Sequence, residues 1–279
     1  MSRWMAIRAL GLCALAGAAS SPARGQQSAP ASRPALDPRA GVPMLSVGAG
    51  YQALSWSYRM TSSAGNALLL GDLLQPAHGL TLGAGWWPWT WLGVDLRLDY
   101  GALDVLHSAT VEPERVGVSL LGVEAALRAC YRFEFGLGLG GHLGYRSFSA
   151  LVARQTPVTA IPSVQAQLLS PGVDVDVIAL APWVTAHLAL DLAPLGFYSE
   201  SPDAPGNPEL CTLWGWRFGG ALRTTPIWGI FVELAAFYEM NVANYLGPGD
   251  RRTATGELVN SGRTANELSG LALSVGWSY

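Results

Sequence analysis

The last nine residues alternate between large apolar and small side chains up to the terminal residue. Leu271, Leu273, Val275, Trp277 and Tyr279 take every second position, and only Ala, Ser or Gly lies between them. Successive side chains of a β-strand point to opposite faces, so this period of two predicts a terminal strand with one apolar face. In a soluble sandwich the other face would carry charge towards water. What covers the apolar face therefore decides the class of the protein.

The composition narrows the choice of fold. The 279 residues are 50% hydrophobic and only 13% charged, against about 25% charged residues in typical soluble domains. Yet no segment beyond the N-terminal region offers the roughly 20 apolar residues that a membrane-spanning helix needs. The nearest candidate, residues 77–94, is interrupted by Gly79, Gly83, Gly85 and Pro88. Because lipid satisfies no backbone hydrogen bonds, such a chain is left with a closed β-barrel.

The N-terminus has the features of a secretory signal. Residues 1–8 are basic, residues 9–19 are uncharged, and Ala23 and Gly25 place small side chains before a cleavage site. We predict a signal peptide over 1–25, a Pro/Ala-rich tether over 26–43 and a barrel domain over 44–279. Cleavage would leave 14 of the 17 basic residues against 20 acidic ones, so no basic patch for nucleic acid is expected.

Ten segments alternate in the barrel domain. They are 44–59, 78–87, 91–106, 115–131, 133–148, 173–180, 183–193, 210–223, 227–241 and 266–279. Short connections at 88–90, 132, 181–182 and 224–226 take turns with longer ones at 60–77, 107–114, 149–172, 194–209 and 242–265, which is typical of a transmembrane barrel. The predicted fold is an all-β, antiparallel up-and-down transmembrane barrel of ten strands, with eight or twelve as alternatives. The alternation breaks at Ala53-Leu54 and at Leu120-Leu121, where we expect either a β-bulge or a shifted register.

Charged residues of these segments share the face opposite to the apolar side chains, so we predict that they line the lumen. The set is Asp95, Arg97, Asp99, Glu124, Arg128, Glu134, His142, Arg146, Asp174, Asp176, His187, Asp191, Arg217, Arg223, Glu233 and Glu239. Opposite signs on neighbouring strands are expected to pair, because an unpaired buried charge is costly. Inward glycines and the acidic excess favour a different use, a narrow path for small cations. Ten strands are too few for a wide porin.

Aromatic residues cluster at two levels, as they do at membrane interfaces. We predict one girdle beside the short connections, formed by Trp86, Trp87, Trp89, Trp91, Trp183, Trp228 and Trp277. A second girdle beside the long connections would contain Trp56, Tyr58, Tyr100, Tyr145, Trp214 and Tyr238.

The terminal strand resembles the closing strand of bacterial outer-membrane β-barrels. In that superfamily the terminal aromatic and the alternating apolar residues form an insertion signal, here Leu271, Leu273, Val275, Trp277 and Tyr279. The resemblance covers about residues 44–279. It implies a Gram-negative outer-membrane location, export through a cleaved Sec signal, a periplasmic tether and short periplasmic turns. Its implied partners are periplasmic chaperones, the barrel assembly machinery, outer-membrane lipid and lipopolysaccharide.

Ten-stranded barrels also include the omptin proteases, and that resemblance implies two pairs of acidic and His residues near the outer rim. Asp174-Val175-Asp176, expected at the outer end of the sixth strand, resembles one acidic pair, but the chain has no Asp-x-His sequence. His187 and Asp191 lie four residues apart on one strand, out of contact. The four histidines have no metal-ligand spacing. We therefore predict no catalytic, metal or cofactor site.

Three functional hypotheses follow. The leading one is a non-enzymatic outer-membrane barrel with a narrow charged lumen, whose loops at 149–172 and 242–265 have structural or surface-interaction roles. The second is a narrow, porin-like channel for small solutes. The third is a soluble secreted β-sandwich or lipocalin-like binding protein. The oligomeric state stays open.

Overall fold

The computed structural model describes most of the predicted barrel domain. The described residues are 43–62, 67–73, 77–107, 114–133, 136–153, 163–181, 184–201, 211–224, 226–246 and 261–279. The predicted signal peptide and most of the tether lie outside them. Within the described residues no helix is long and apolar enough to cross a membrane.

Ten antiparallel strands make up the described structure. Strands β2 and β7 each consist of two segments, because both segments pair along the same neighbouring strand. The bounds are β1 Leu45–Ser62, β2 Ala67–Leu73 with Ala77–Trp86, β3 Leu92–His107, β4 Glu114–Arg132, β5 Leu137–Val152, β6 Ser163–Ala181, β7 Val184–Ala193 with Leu195–Ser201, β8 Cys211–Thr224, β9 Ile230–Leu246 and β10 Ser261–Ser278.

Pairing between the first and last strands closes the sheet. The β1–β10 ladder runs without interruption from Ser46 opposite Ser278 to Ser62 opposite Gly262. Each other strand pairs with its sequence neighbours. The predicted all-β, ten-stranded antiparallel barrel is therefore confirmed. The end at which β2 meets β3 is called the short-turn end below, and the opposite end is called the loop end.

The register fixes the tilt of the strands. From Ala53, the partners through β2 and β3 are His78, Ala102 and then Ser119 of β4. The other way round, through β10 and on to β5, the partners lead to Tyr131 of the same strand. The two endpoints differ by twelve residues, which is the shear of the barrel. A shear of this size goes with strands tilted by about 35–45°.

The two predicted breaks in alternation are not bulges, and that prediction was wrong. The registers of β1 and β4 are continuous through both sites. Leu54 and Leu120 point inward and are 3% and 2% exposed, whereas Leu121 points outward and is 40% exposed. The alternation of inward and outward side chains thus continues through both sites. What changes there is which face of the strand is apolar.

The barrel has two halves of opposite polarity. In the short-turn half of β1 the outward residues are apolar, as at Val47 and Tyr51; in the loop half they are Ser55, Ser57 and Arg59. Inside the loop half, buried apolar side chains form what we call the loop-end core, which contains Leu54, Trp56, Tyr58, Leu103, Val118, Leu120, Phe148, Ala150 and Val164. A strand crossing from one half to the other therefore reverses its apolar face without changing phase.

This reversal corrects part of the predicted second girdle. Trp56 and Tyr58 are almost completely buried in the loop-end core, so they do not face outward. Tyr100, Tyr145 and Trp214 are exposed on the outer face.

The strands are also longer at the loop end than predicted. β6 begins at Ser163, not at residue 173, so much of the predicted loop at 149–172 is strand. In this part of β6, Val164 and Leu168 point inward and Gln165 points outward. This part of β6 has apolar residues inside and polar residues outside, which is the reverse of the pattern from which the strands were predicted. Strand also occupies parts of the loops predicted at 60–77 and 242–265.

A bulge does occur, in β7. Gly172 of β6 pairs with Asp191 of β7, but Leu169 pairs with Leu195, so two residues of β6 face three of β7. The extra residue lies beside Pro194, which has no N–H to give to the ladder. We predicted a loop from this proline onward, and the strand continues beyond it instead.

Replacing Leu120 by Ala tests the inward phase of β4. We expect a loss of about 2–5 kcal/mol in unfolding free energy, because the substitution leaves a cavity in the loop-end core. Leu121→Ala, one residue along on the outer face, is the matched control and should cost much less. Denaturant titration of both variants in lipid vesicles measures the difference. Equal losses would contradict the assigned phase.

Candidate functional site

The short-turn half of the barrel encloses a cavity of about 320 Å³. Its two sides differ in side-chain size. Inward positions of β1, β2 and β10 carry small residues, including Gly48, Gly83 and Ser274, and a Cβ added at Gly83 would meet nothing within 4 Å. The opposite wall, from β3 to β7, carries most of the charges. The cavity exists because only one wall extends long side chains.

Arg128 is the centre of the charged wall. Its Nη1 donates to Asp95 Oδ2 at 2.9 Å, and its Nη2 donates to Asp174 Oδ1 at 2.6 Å. The same Nη2 lies 2.7 Å from His187 Nε2, and His187 Nδ1 lies 2.7 Å from Asp176 Oδ1. Arginine can only donate, so His187 accepts at Nε2 and donates from Nδ1, which makes this ring neutral.

His142 lies between two carboxylates. Its Nδ1 is 2.9 Å from Asp174 Oδ2, and its Nε2 is 2.6 Å from Asp191 Oδ1. All three side chains are buried. Two acceptors require two donors, so this arrangement needs the doubly protonated, cationic imidazole. Both ring nitrogens of His142, like those of His187, are therefore engaged.

Two arginine–carboxylate ion pairs beside Phe237 form the next layer towards the loop end. Arg217 Nη1 donates to Glu124 Oε2 at 2.5 Å, and its guanidinium carbon lies 4.5 Å from the Phe237 ring centroid. The guanidinium carbon of Arg97 lies 5.5 Å from the same centroid, and Arg97 Nε pairs with Asp99 Oδ2 at 2.9 Å. The phenyl ring thus holds two cations by cation–π contact.

Arg146 and Glu239 form the deepest ion pair. Arg146 Nη1 lies 2.9 Å from Glu239 Oε2, and Asn241 Nδ2 donates to Glu239 Oε1 at 2.6 Å. Nε and Nη2 of Arg146 have no partner among the described residues. A second cavity of about 40 Å³ adjoins this pair and is bounded on its far side by Leu120 and Phe148 of the loop-end core. A space of that size beside free donors suits bridging water.

Arg223 and Glu233 form an ion pair close to the short-turn end. Arg223 Nη2 lies 2.6 Å from Glu233 Oε2, and its guanidinium carbon lies 4.4 Å from the Phe231 ring centroid. Both charged side chains are partly exposed. This pair therefore meets solvent, unlike Arg146 with Glu239.

Trp87 belongs to this interior and not to the predicted outward girdle. Its Nε1 donates to Asp95 Oδ1 at 3.3 Å, and Arg132 lies over its ring at 5.7 Å. Inward side chains alternate along β2 and its turn, which gives Trp86 the outer face and Trp87 the inner one. Arg132 was absent from the predicted lumen set because the sequence placed it in a one-residue turn.

The structure brings fifteen of the sixteen predicted lumen residues together on the inner face, and Glu134 lies outside the described residues. The predicted height of two of these residues, at the outer end of the sixth strand, was wrong. Asp174 and Asp176 lie in the short-turn half, because β6 begins ten residues earlier than expected. The ion pairs among the described residues join six arginines and the cationic His142 to eight carboxylates, and the neutral His187 donates to Asp176.

A second polar cluster lies at the loop end and was not predicted. The buried Glu200 Oε1 accepts from Tyr58 Oη at 3.1 Å, from Tyr198 Oη at 2.6 Å and from Thr264 Oγ1 at 3.3 Å. Sequence reasoning missed Glu200 because it placed this residue in a loop. The inward alternation of Tyr198 and Glu200 after the β7 bulge is the signal that could have found it.

The outward aromatic residues are placed as follows. Trp86, Trp89, Trp91, Trp228 and Trp277 are exposed at the short-turn end, and Trp183 lies outside the described residues. Along β10 the apolar members of the predicted insertion signal, Leu271, Leu273, Val275, Trp277 and Tyr279, all lie exposed on the outer face.

Comparison with known proteins gives a likeness at the level of structure. No family model and no curated protein sequence matches the chain. The crystal structure of the outer membrane protease OmpT from Escherichia coli matches with a TM-score of 0.51 and 8% identity, over 84% of this chain and 96% of that one. The outer membrane protein OprG from Pseudomonas aeruginosa gives 0.41 and 9%, over 84% and 95%. The attachment invasion locus protein Ail of Yersinia pestis gives 0.33 and 10%, over 84% and 97%.

At such low identity the likeness to OmpT concerns the fold alone. This chain has the closed, ten-stranded antiparallel fold of a bacterial outer-membrane β-barrel.

Proposed function

We propose that the chain is an integral outer-membrane protein with a closed, non-enzymatic barrel and a structural or surface-interaction role at its loop end. The observation that carries the proposal is the reversal of polarity between the two halves. An apolar outer band suits lipid, and the polar outer wall beyond it suits water or lipid headgroups.

The height of the outer apolar band supports membrane insertion. On β1 the outward apolar residues run from Leu45 to Ala53, and on β10 they run from Leu271 to Tyr279. Nine residues at about 3.3 Å, tilted by about 45°, span about 20 Å. Transmembrane barrels carry an apolar band of about 25 Å. The predicted short-turn girdle lies at one edge of this band, and Tyr100 and Tyr145 lie at the other.

The interior supports a closed bore. The cavity ends at the arginine pairs around Phe237, and beyond them the loop-end core fills the section with Trp56, Leu120 and Phe148. A solute would have to separate buried ion pairs and then displace packed apolar side chains. Both steps are costly.

The hydrogen bonding supports a non-enzymatic role. A general base needs an acceptor that can reach a substrate proton. His187 Nε2 already accepts from Arg128, and His142 donates to Asp174 and Asp191. These groups hold strands β4 to β7 together, and in this proposal that is their function.

Surface interaction is assigned to the loop end. Beyond the apolar band the outer wall carries Ser55, Ser57, Arg59 and Gln165. We propose that this wall, together with the connections from β5 to β6 and from β9 to β10, meets lipopolysaccharide and external partners. Chaperones and the barrel assembly machinery would act on the chain before insertion.

A narrow channel is the second candidate. The cavity of about 320 Å³ in the short-turn half favours it, since a solute could enter that far. The two candidates differ in whether the loop-end core opens.

Planar-bilayer recording separates the two candidates. We expect refolded protein to give no reproducible single-channel steps, and Arg217→Ala to stay silent as well, because the loop-end core remains. Heat-modifiable gel migration checks folding, and a general porin in the same bilayer is the positive control. Reproducible steps from the natural chain would reject the closed barrel in favour of the channel.

Glu239→Gln tests the structural role of the lumen charges. The substitution keeps the shape but leaves the buried Arg146 with only the more distant carboxylate of Asp191, 3.8 Å from its Nη1, so we expect a loss of about 3 kcal/mol in unfolding free energy. Glu233→Gln, in the partly exposed pair with Arg223, is the control, with an expected loss of about 1 kcal/mol or less. Denaturant titration in vesicles measures both. Similar small losses would show that the deep pair is dispensable.

Deletion of Tyr279 tests the insertion signal. Tyr279 N donates to Leu45 O at 2.8 Å and Leu45 N donates to Tyr279 O at 3.1 Å, so the deletion removes both hydrogen bonds at the end of the seam. We expect a lower amount of folded protein in the outer membrane, measured by fractionation, and a normal amount for Tyr279→Phe. Normal levels of the deleted form would argue against the signal.

A further inference from the structure

Two neighbouring residues of opposite charge face the cavity of the short-turn half without pairing with each other. Arg97 of β3 and Glu124 of β4 are partners in the β3–β4 ladder, and both line the cavity. Arg97 Nε bonds instead to both carboxylate oxygens of Asp99, and Glu124 Oε2 accepts from Arg217 Nη1. The described structure holds no ion pair between Arg97 and Glu124.

Both groups keep hydrogen-bonding capacity that the described residues leave unused. Glu124 Oε1 accepts no hydrogen bond from them, and neither Nη1 nor Nη2 of Arg97 donates one to them. A guanidinium offers five N–H donors and a carboxylate about four acceptor sites, so each group has room for a further partner. The side chains of Glu124 and Arg97 are 28% and 24% exposed, so a molecule in the cavity can reach them.

The space for that partner lies over Gly83. Gly83 of β2 pairs with Arg97 on the side away from Glu124, so the three residues form one row across adjacent strands. A Cβ added at Gly83 would meet nothing within 4 Å. The cavity of about 320 Å³ is at the lower end of the range of small-molecule pockets, roughly 300–1,000 Å³. An empty space of ligand size thus adjoins two groups of opposite charge.

The charges of the wall favour one class of ligand. Among the described residues six carboxylates line the cavity, against five arginines and the cationic His142, so these charges cancel. A ligand with a net charge would bring an uncompensated charge into the interior, which is costly. An anion at Arg97 would also lie beside Glu124, and a cation at Glu124 would lie beside Arg97. A molecule that carries both charges meets an opposite charge at each end.

The spacing of the two groups suits a short zwitterion. Residues that pair across an antiparallel ladder have Cβ atoms about 4.5–5.5 Å apart. Arg97 and Glu124 are such a pair, so their free atoms can hold the carboxylate and the ammonium group of one α-amino acid. Bonds of this kind, with both partners ionised, are stronger than neutral hydrogen bonds.

We propose that the cavity binds a small zwitterion of amino-acid size over Gly83, with its ammonium group at Glu124 Oε1 and its carboxylate at Arg97 Nη1. The ligand enters from the short-turn end, where Arg223 and Glu233 meet solvent, and the loop-end core stops it from passing further. The proposal adds a binding site to the closed barrel and does not require a channel. In the proposed membrane location the entrance faces the periplasm.

Ligand binding tests the proposal directly. The probe is L-alanine, added to the refolded natural chain in detergent micelles, and saturation-transfer NMR measures its dissociation constant. Propionate and ethylamine each carry one of its two charges. We expect each of them to bind about tenfold more weakly or worse, because a charge-assisted hydrogen bond is lost. Absence of L-alanine binding, or equally tight binding of either single-charge compound, would overturn the proposal.

Gly83→Leu tests the position of the ligand. A Cβ at Gly83 meets nothing within 4 Å, so we expect the barrel to fold and the added side chain to abolish L-alanine binding. Ala125→Leu, next to Glu124 on the outer face of β4, adds a side chain of the same size outside the cavity and should bind like the natural chain. Heat-modifiable migration checks that both variants fold. Unchanged binding by Gly83→Leu would contradict the proposed site.

Glu124→Gln tests the charge pattern with a readout that a merely structural change would not give. The substitution removes the charge that attracts an ammonium group and repels a carboxylate. We therefore expect L-alanine to bind about tenfold more weakly and propionate to bind more tightly, which reverses the order of the two compounds. A parallel loss of both, or an unchanged order, in a variant that folds would count against the assigned contacts.

Discussion

The rest of the structure depends on one unbroken ring of backbone hydrogen bonds. Lipid offers no alternative partner for a peptide group, so a sheet that faces lipid must close on itself. The β1–β10 ladder meets that need over its full length. With closure imposed, the shear and the tilt follow, and each residue is assigned to the inside or the outside. The outward side chains then have to suit the surroundings of the barrel, and the inward ones have to fit into one narrow bore.

The lumen meets this demand with two different kinds of filling. In the short-turn half, where the outside is apolar, the inside can be polar, and arginines pair with carboxylates across neighbouring and distant strands. In the loop half the outside is polar, so the inside can be packed as in a soluble protein. The charged layer fixes the relation between strands, and the loop-end core supplies the apolar burial that the interior of the short-turn half lacks.

The closure of the barrel, the number of strands and most of the lumen residues could be predicted from the sequence. Side chains alternate between the two faces of a strand whatever surrounds that strand. The loop half could not, because the prediction assumed that apolar residues face outward along the whole strand. Trp56 and Leu120 violate this assumption without any change in backbone, and so were read as a girdle residue and a bulge. The β7 bulge was missed for another reason, since Pro194 usually ends a strand. Ion-pair partners such as Arg146 with Glu239 depend on the curvature of the closed sheet, which no local pattern contains.

The shear of twelve residues has a geometrical consequence for the aromatic residues. A path that follows paired residues from strand to strand shifts by twelve residues over the ten strands, or about one residue per strand. Paired residues on successive strands therefore do not lie at the same height along the barrel axis. Tyr100, Tyr145 and Tyr238 share no line of paired residues. They come to a similar height only because the strands are tilted and the pairing shifts around the barrel. A single residue inserted into one strand would move its aromatic side chain off that plane and turn an inward side chain to the outer face of the barrel.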